Sequence, residues 1–235
     1  MLLTSAWSSG IVPEIRTFVL VEGDSDAAAV RALAVILGCD LSLHHTQICS
    51  AGGVTNFSQS LGAFVRAHPN GQFCGLYDLA EERHVRRALA SASVPIAAHE
   101  TLEPFGFFAC VADLEEELIR ALGAEAVERV LEAQGELVSL RRFQAMPQHR
   151  HTPLERQLHR FLGTRATRKI RSARRLVEAL DPGRLPRPLV LLAERLLVAA
   201  TPAPNPFIEA TSQSPLRAPW AAPHVQRNGD SADDD

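Results

Sequence analysis

Thr17-Phe-Val-Leu-Val-Glu-Gly-Asp-Ser-Asp26 is the stretch on which the fold turns. Its first part, Thr17 to Glu22, is β-branched and apolar with no polar alternation, the pattern of a strand buried on both faces of a parallel sheet. Gly23 ends it, and Ser25 or Asp26 is expected to cap a helix from Asp26 to Leu37. Val30, Leu33, Ala34 and Leu37 recur there at helical spacing before Gly38 closes the element. The same unit then repeats. Thr46 to Ser50 reads as a strand, followed by Gly52-Gly53 and a helix over 55–67. Phe73 to Asp78 is a third strand with a helix over 81–90, and Phe105 to Val111 is a fourth, with Asp113 opening the helix Leu114 to Leu122. This alternation predicts a doubly wound, Rossmann-like α/β sheet, parallel and flanked by helices, with ligands beyond the carboxyl ends of its strands.

After Gly123 the strand signal disappears. Ala124 to Gln134, Leu154 to Leu162, Ala166 to Leu180 and Leu189 to Ala200 read as helices separated by Gly and Pro. From Thr201 the chain is rich in Pro and ends in Asp233-Asp234-Asp235, the composition of a disordered tail. The expected organisation is an N-terminal extension 1–14, an α/β domain 15–123, a basic all-helical segment 124–200 and a tail 201–235.

Charge divides along the same lines. Residues 1–140 carry 18 acidic and 8 basic side chains, whereas residues 141–195 carry 4 acidic and 14 basic ones. An acidic half that gathers divalent cations and a basic half that meets phosphates would account for this, and so would internal pairing of the two halves or a solvated basic helical surface. Lys169 is the single lysine in a chain that otherwise uses arginine. The apolar run Pro188 to Ala200 is broken by Glu194 and Arg195, and no window approaches the roughly 18 to 20 residues of a bilayer span, so no membrane role is expected. Cys39, Cys49, Cys74 and Cys110 lie far apart without a C-x-x-C pair. With no secretory leader pattern, they read as reduced, buried thiols of a cytoplasmic protein.

The acids fall at successive strand ends. Glu22, Asp24 and Asp26 follow the first strand, Asp78 ends the third with Glu81 and Glu82 beyond it, and Asp113 and Glu115 follow the fourth. Carboxylates sharing one rim repel each other, and a hard cation such as Mg2+ relieves that repulsion while polarising phosphate oxygens and bound water. Asp24, Asp26 and Asp113 read equally as helix caps, and Glu116 and Glu117 read better as solvated helix faces. His44-His45 and His149-Arg-His151 lack partners at ligand spacing.

Val21-Glu22-Gly23-Asp24-Ser25-Asp26 resembles the E-G-x-x-[DE] signature of the Toprim domain of topoisomerases, bacterial primases and overcoming-lysogenization-defect (OLD) nucleases. Ser50-Ala-Gly-Gly-Val-Thr-Asn56 is similar to the glycine-rich segment after the second Toprim strand, and Leu76-Tyr-Asp78-Leu-Ala80 sits where D-x-D belongs. Asp113-Leu-Glu115 and Arg168-Lys169 resemble the x-L-E and late lysine elements of the OLD type. The resemblance spans about residues 15 to 195 and makes 15–123 the Toprim domain. It implies a metal set of Glu22, Asp26, Asp78, Glu81, Asp113 and Glu115 for Mg2+ or Mn2+. It also implies catalytic roles for Glu22, Asp78 and Lys169, the last as the charge that stabilises a pentacovalent phosphate. Gly23, Gly52 and Gly53 would allow backbone approach to a ligand, or are plain turn glycines.

Two departures limit the carry-over. Ala80 replaces the second aspartate of D-x-D unless Glu81 or Glu82 substitutes, and no G-x-x-x-x-G-K-[ST] occurs, so any ATP dependence requires a separate ATPase subunit. The expected function is that of a metal-dependent endonuclease, a phosphodiesterase acting on DNA. The alternative is a catalytically reduced Toprim module that binds nucleic acid or nucleotide as a regulatory or partner subunit, and a homo-oligomer is left open. A receiver-like phosphoacceptor is excluded because no lysine ends the last strand.

Overall fold

The structure, a computed structural model, describes residues 15–198; the expected extension 1–14 and tail 201–235 lie outside the described residues. Strand β1 (Thr17–Val21) leads into α1 (Asp24–Ile36), β2 (Thr46–Ser50) into α2 (Phe57–Ala67), β3 (Gln72–Asp78) into α3 (Glu82–Ser91), and β4 (Phe107–Cys110) into α4 (Leu114–Leu122). All pairings are parallel, in the order β2-β1-β3-β4. The chain therefore moves outward from β1 to β2 and then crosses back to place β3 on the other side of β1. The carboxyl ends of β1 and β3 flank that switch point, where neighbouring connections leave in opposite directions and open a crevice.

Strands β1, β3 and β4 are largely buried and carry two apolar faces, whereas the edge strand β2 has no buried residue. Val19, Val21, Cys74, Leu76, Phe108 and Cys110 face a core shared with Val30 and Leu33 of α1 and Leu118 of α4. The chain after α4 is helical among the described residues: α5 (Ala124–Ala133), α6 (Leu137–Gln144), α7 (Leu154–Leu162), α8 (Ala166–Glu178) and α9 (Arg187–Val198). Leu158, Leu176 and Leu192 from this part complete the same core, with α8 packed along α1 and α9 against β3 and β4. On the opposite face α2 and α3 pack together, and Phe18 of β1 stacks on Phe64 of α2 with centroids 4.4 Å apart.

Several local expectations are corrected. The cap of α1 is Gly23, not Ser25 or Asp26; Asp26 sits one turn in and reaches back, its Oδ2 accepting from the Gly23 N–H at 2.9 Å. Helix α6 was not expected from the sequence. Glu117 is not a solvated face: it is buried, accepts from the Val111 N–H at 3.1 Å and is bonded to Arg120. Cys39, Cys74 and Cys110 are buried free thiols, whereas Cys49 on the edge strand β2 is partly exposed. Among the described residues no helix is long and apolar enough to cross a membrane.

Gly75 is the tightest point of the sheet. A Cβ there would lie 2.2 Å from the Leu20 carbonyl oxygen and 2.9 Å from the Phe107 ring, so β1, β3 and β4 approach as they do only because the side chain is absent. Gly75→Ala is expected to destabilise the protein by about 1–3 kcal/mol through overpacking, read as a lowered denaturation midpoint. An unchanged midpoint would contradict this packing.

Candidate functional site

Three of the four strands deliver acids to the switch point. Glu22 follows β1, Asp26 projects from the first turn of α1, Asp78 is the last residue of β3, and Asp113 caps α4 after β4 with Glu115 in that helix's first turn. Their mutual influence is strong. Asp78 is pushed up to about 7, first by burial and then by the charges of Glu22, Asp113, Asp26 and Glu115. Asp26 is pushed up to about 6, mainly by burial and by Glu115, although the Gly23 N–H counters this. Glu115, 3% exposed, is raised by burial despite Lys169, and its Oε1 is buried without a hydrogen-bond partner.

A lysine and a histidine from the helical part meet this rim. Lys169 of α8 places Nζ 3.3 Å from Glu115 Oε2, and burial of the ammonium is outweighed by Glu115 and Asp26, so its pKa is raised. His159 of α7 places Nε2 2.6 Å from Asp113 Oδ2. That hydrogen bond raises the imidazole and, with the Glu116 N–H on Oδ1 at 2.8 Å, holds Asp113 below the usual carboxylate range against its burial. Glu115 is thus paired with the Lys169 ammonium and Asp113 is hydrogen-bonded to His159, while Glu22, Asp26 and Asp78 have no basic side chain bonded to them among the described residues. Among the described residues no three Asp, Glu, His or Cys side chains form a ready ligand cage. The donor set nevertheless suits a hard cation, since it is all oxygen, crowded and destabilised by its own charge, with one buried carboxylate oxygen still unused.

The glycines divide. Gly52 and Gly53 take positive φ of 68° and 122°, and the Gly53 N–H donates to the Glu22 carbonyl at 3.0 Å, tying the β2–α2 loop to the rim. Gly23, at φ −132°, has room for a Cβ and needs no glycine for its own conformation. Glu81 is not brought to the rim by any bond of its own: it lies 3.5 Å from His84, and Glu82 is bonded to Arg86, so both acids beside Ala80 engage their own helix.

Residues 15–67 match the family described as overcoming lysogenization defect protein-like, TOPRIM domain. Over 79% of its length the chain is similar in structure to the C-terminal region of the Burkholderia pseudomallei OLD protein, at 21% identity and TM-score 0.58, covering 98% of that chain. The C-terminal region of the Xanthomonas campestris pv. campestris OLD protein is similar at 23% identity and TM-score 0.58, covering 96% of that chain. The fold is that of an OLD-type Toprim domain. No curated protein matches the sequence. The matched segment includes Glu22, Gly23, Asp26, Gly52 and Gly53, while Asp78, Asp113, Glu115 and Lys169 lie beyond it. His159 is the residue bonded to the carboxylate rim that the sequence did not single out. It is a lone histidine on an arginine-rich helix, and only the packing of α7 against α4 brings it to Asp113.

Proposed function

We propose that this Toprim chain is a metal-dependent phosphodiesterase acting on DNA as an endonuclease. The observation that carries the reading is the convergence of Glu22, Asp26, Asp78, Asp113 and Glu115 on the strand-switch crevice, where burial and these acids push the Asp78 carboxyl up to about 7. Glu22, Asp26 and Asp78 would hold Mg2+ or Mn2+, with Glu115 and Asp113 beside them. Such an ion supplies charge neutralisation of phosphate oxygens and a more acidic bound water. The protein's own part is to keep these carboxylates oriented on rigid strand ends and helix starts and to present Lys169 beside Glu115. In that position an ammonium can meet the negative charge that builds on a phosphate under attack. Purified protein should nick supercoiled plasmid with Mg2+ or Mn2+, and Asp78→Ala should not; equal nicking by both would overturn the reading.

A second reading, a nucleic-acid-binding module with reduced catalysis, is favoured by Ala80 and by the absence of a preformed three-ligand cage among the described residues. It predicts DNA binding without nicking.

The DNA surface is narrower than the charge count of residues 141–195. Arg141 pairs with Glu128, Arg168 and Arg171 with Glu136, Arg174 and Arg175 with Glu178, and Arg187 with Glu103. Internal pairing thus absorbs much of the excess. Arg142, Arg156, Arg160 and Arg165 are exposed and have no carboxylate at ion-pair distance among the described residues. Replacing Arg142, Arg160 and Arg165 by alanine should weaken binding for all sequences and reduce the salt slope by roughly 0.7–0.9 for each phosphate that is no longer neutralised. A salt titration by fluorescence polarisation with an unaltered slope would remove these residues from the interface.

A further inference from the structure

Between α4 and α7, directly beside the carboxylate rim, lies a cavity of about 590 Å³. Its wall nearest the rim is His159, one hydrogen bond from Asp113. Ile119, Ala112 and Pro153 are the apolar part of its lining, and Arg120, Arg156, Glu116 and Glu155 are the charged part. Arg120 is bonded to Glu117, but Arg156 is exposed and has no carboxylate at ion-pair distance among the described residues. This composition suits neither a polyanion, which Glu116 and Glu155 would repel, nor a purely apolar ligand, which would make no use of the charged groups around it.

A nucleobase satisfies both conditions. Its flat faces pack on apolar carbons and guanidinium planes, and its exocyclic amino group donates to a carboxylate. The phosphate attached to it would pass Arg156 and His159 on the way to the rim. We infer that the α4–α7 cavity receives one unpaired base of the DNA strand, next to the phosphate presented to the carboxylate rim, with preference for bases bearing an exocyclic amino group. This rests on the proposed function, because the rim is what gives the neighbouring phosphate its place. The base must leave its stack to enter, so single-stranded or locally opened DNA is the substrate form that fits.

The preference is chemically specific. Cytosine offers its N4 amino group to a carboxylate and thymine offers no amino group, so Glu116 and Glu155 discriminate between two pyrimidines of similar size. The test is fluorescence polarisation with short oligodeoxycytidylate and oligodeoxythymidylate on the full chain, with Ca2+ added to neutralise the carboxylate rim that the phosphate meets. Oligodeoxycytidylate should bind about 10-fold more tightly, the discrimination expected for a well-formed side-chain contact to a base edge. Glu116→Gln with Glu155→Gln should bring the ratio close to unity, and Ala112→Trp, which fills the cavity from an exposed position, should weaken oligodeoxycytidylate most.

Equal affinities in the wild type, or an Ala112→Trp protein that melts normally and binds as before, would overturn the cavity assignment, as would no binding of either oligonucleotide. Cation affinity and plasmid nicking are measured separately on the same variants. A protein that shows the base preference but never nicks retains the cavity and loses the nuclease reading, whereas one that nicks without preference loses only the cavity.

Discussion

Lys169→Ala should lower metal-dependent cleavage by a factor of about 100 or more while changing DNA affinity little, the usual consequence of losing one preorganised electrostatic stabiliser. Helix α8 carries several basic residues, but Arg168 and Arg171 are held by Glu136, and Arg174 and Arg175 by Glu178. Lys169 is the one bonded to the rim, at 3.3 Å from Glu115. A compact ammonium fits beside a carboxylate and a phosphate oxygen together, whereas a guanidinium is committed to a planar fork, so Lys169→Arg should keep the charge and not recover the rate. Removing the lysine also leaves Glu115 buried without its cation. Because Lys169 is 41% exposed, that cost is screened and should be about 1 kcal/mol, visible as a modest fall in melting temperature. The double variant with Glu115→Gln should recover the melting temperature and not the rate, which separates stability from chemistry. A decline of both affinity and rate by only a few fold would place Lys169 on the binding surface.

Strands β1, β3 and β4 were legible because strands buried on both faces have little need of polar residues and appear as apolar runs, whereas the edge strand β2, with Thr46, Gln47 and Ser50, was legible by its place in the alternation. The end of β4 was less so: Glu103–Phe105 forms a 3-10 turn and Gly106 takes φ 83°, which shortens the expected Phe105 to Val111 strand to Phe107–Cys110. Helix α6 was missed because Leu137–Gln144 has a single fully buried position, Leu140, and so shows little apolar periodicity. For the site, position along the chain sufficed for acids carried by strand ends, since strand order alone brings Glu22 and Asp78 to one crevice. It failed where tertiary packing decides, as at His159, at Glu117 beneath Val111, and at arginines whose partners lie far away in sequence.

Asp78→Asn should act in opposite directions on stability and on metal binding. Burial and the charges of Glu22, Asp113, Asp26 and Glu115 raise the Asp78 carboxyl from its ordinary 3.8 to about 7, so folding favours the protonated form. The stability linked to this group is therefore complete below the ordinary carboxylate pKa and is lost as pH rises from 3.8 to about 7. Above that window Asp78 is ionised in both states, solvated in the unfolded chain and crowded by other acids in the folded one. Removing it should raise stability at about pH 8, without divalent cations, by roughly 1–2 kcal/mol after allowing for solvent screening of a partly exposed group. The same proton must leave before a cation binds. Wild-type affinity for Mg2+ or Mn2+ should accordingly increase between about pH 6 and pH 8, and saturating cation should raise the wild-type melting temperature. In Asp78→Asn the affinity should fall by about 100-fold with a flattened pH dependence, as expected when a directly coordinating carboxylate is removed from an all-oxygen site. Glu22→Gln should also weaken binding strongly. Calorimetric titration and thermal melts at both pH values read the two effects independently. If Asp78→Asn melts lower than wild type at the higher pH, the carboxylates are not in repulsive contact. If it melts higher but binds cation unchanged, the repulsion is real and the cation sits elsewhere.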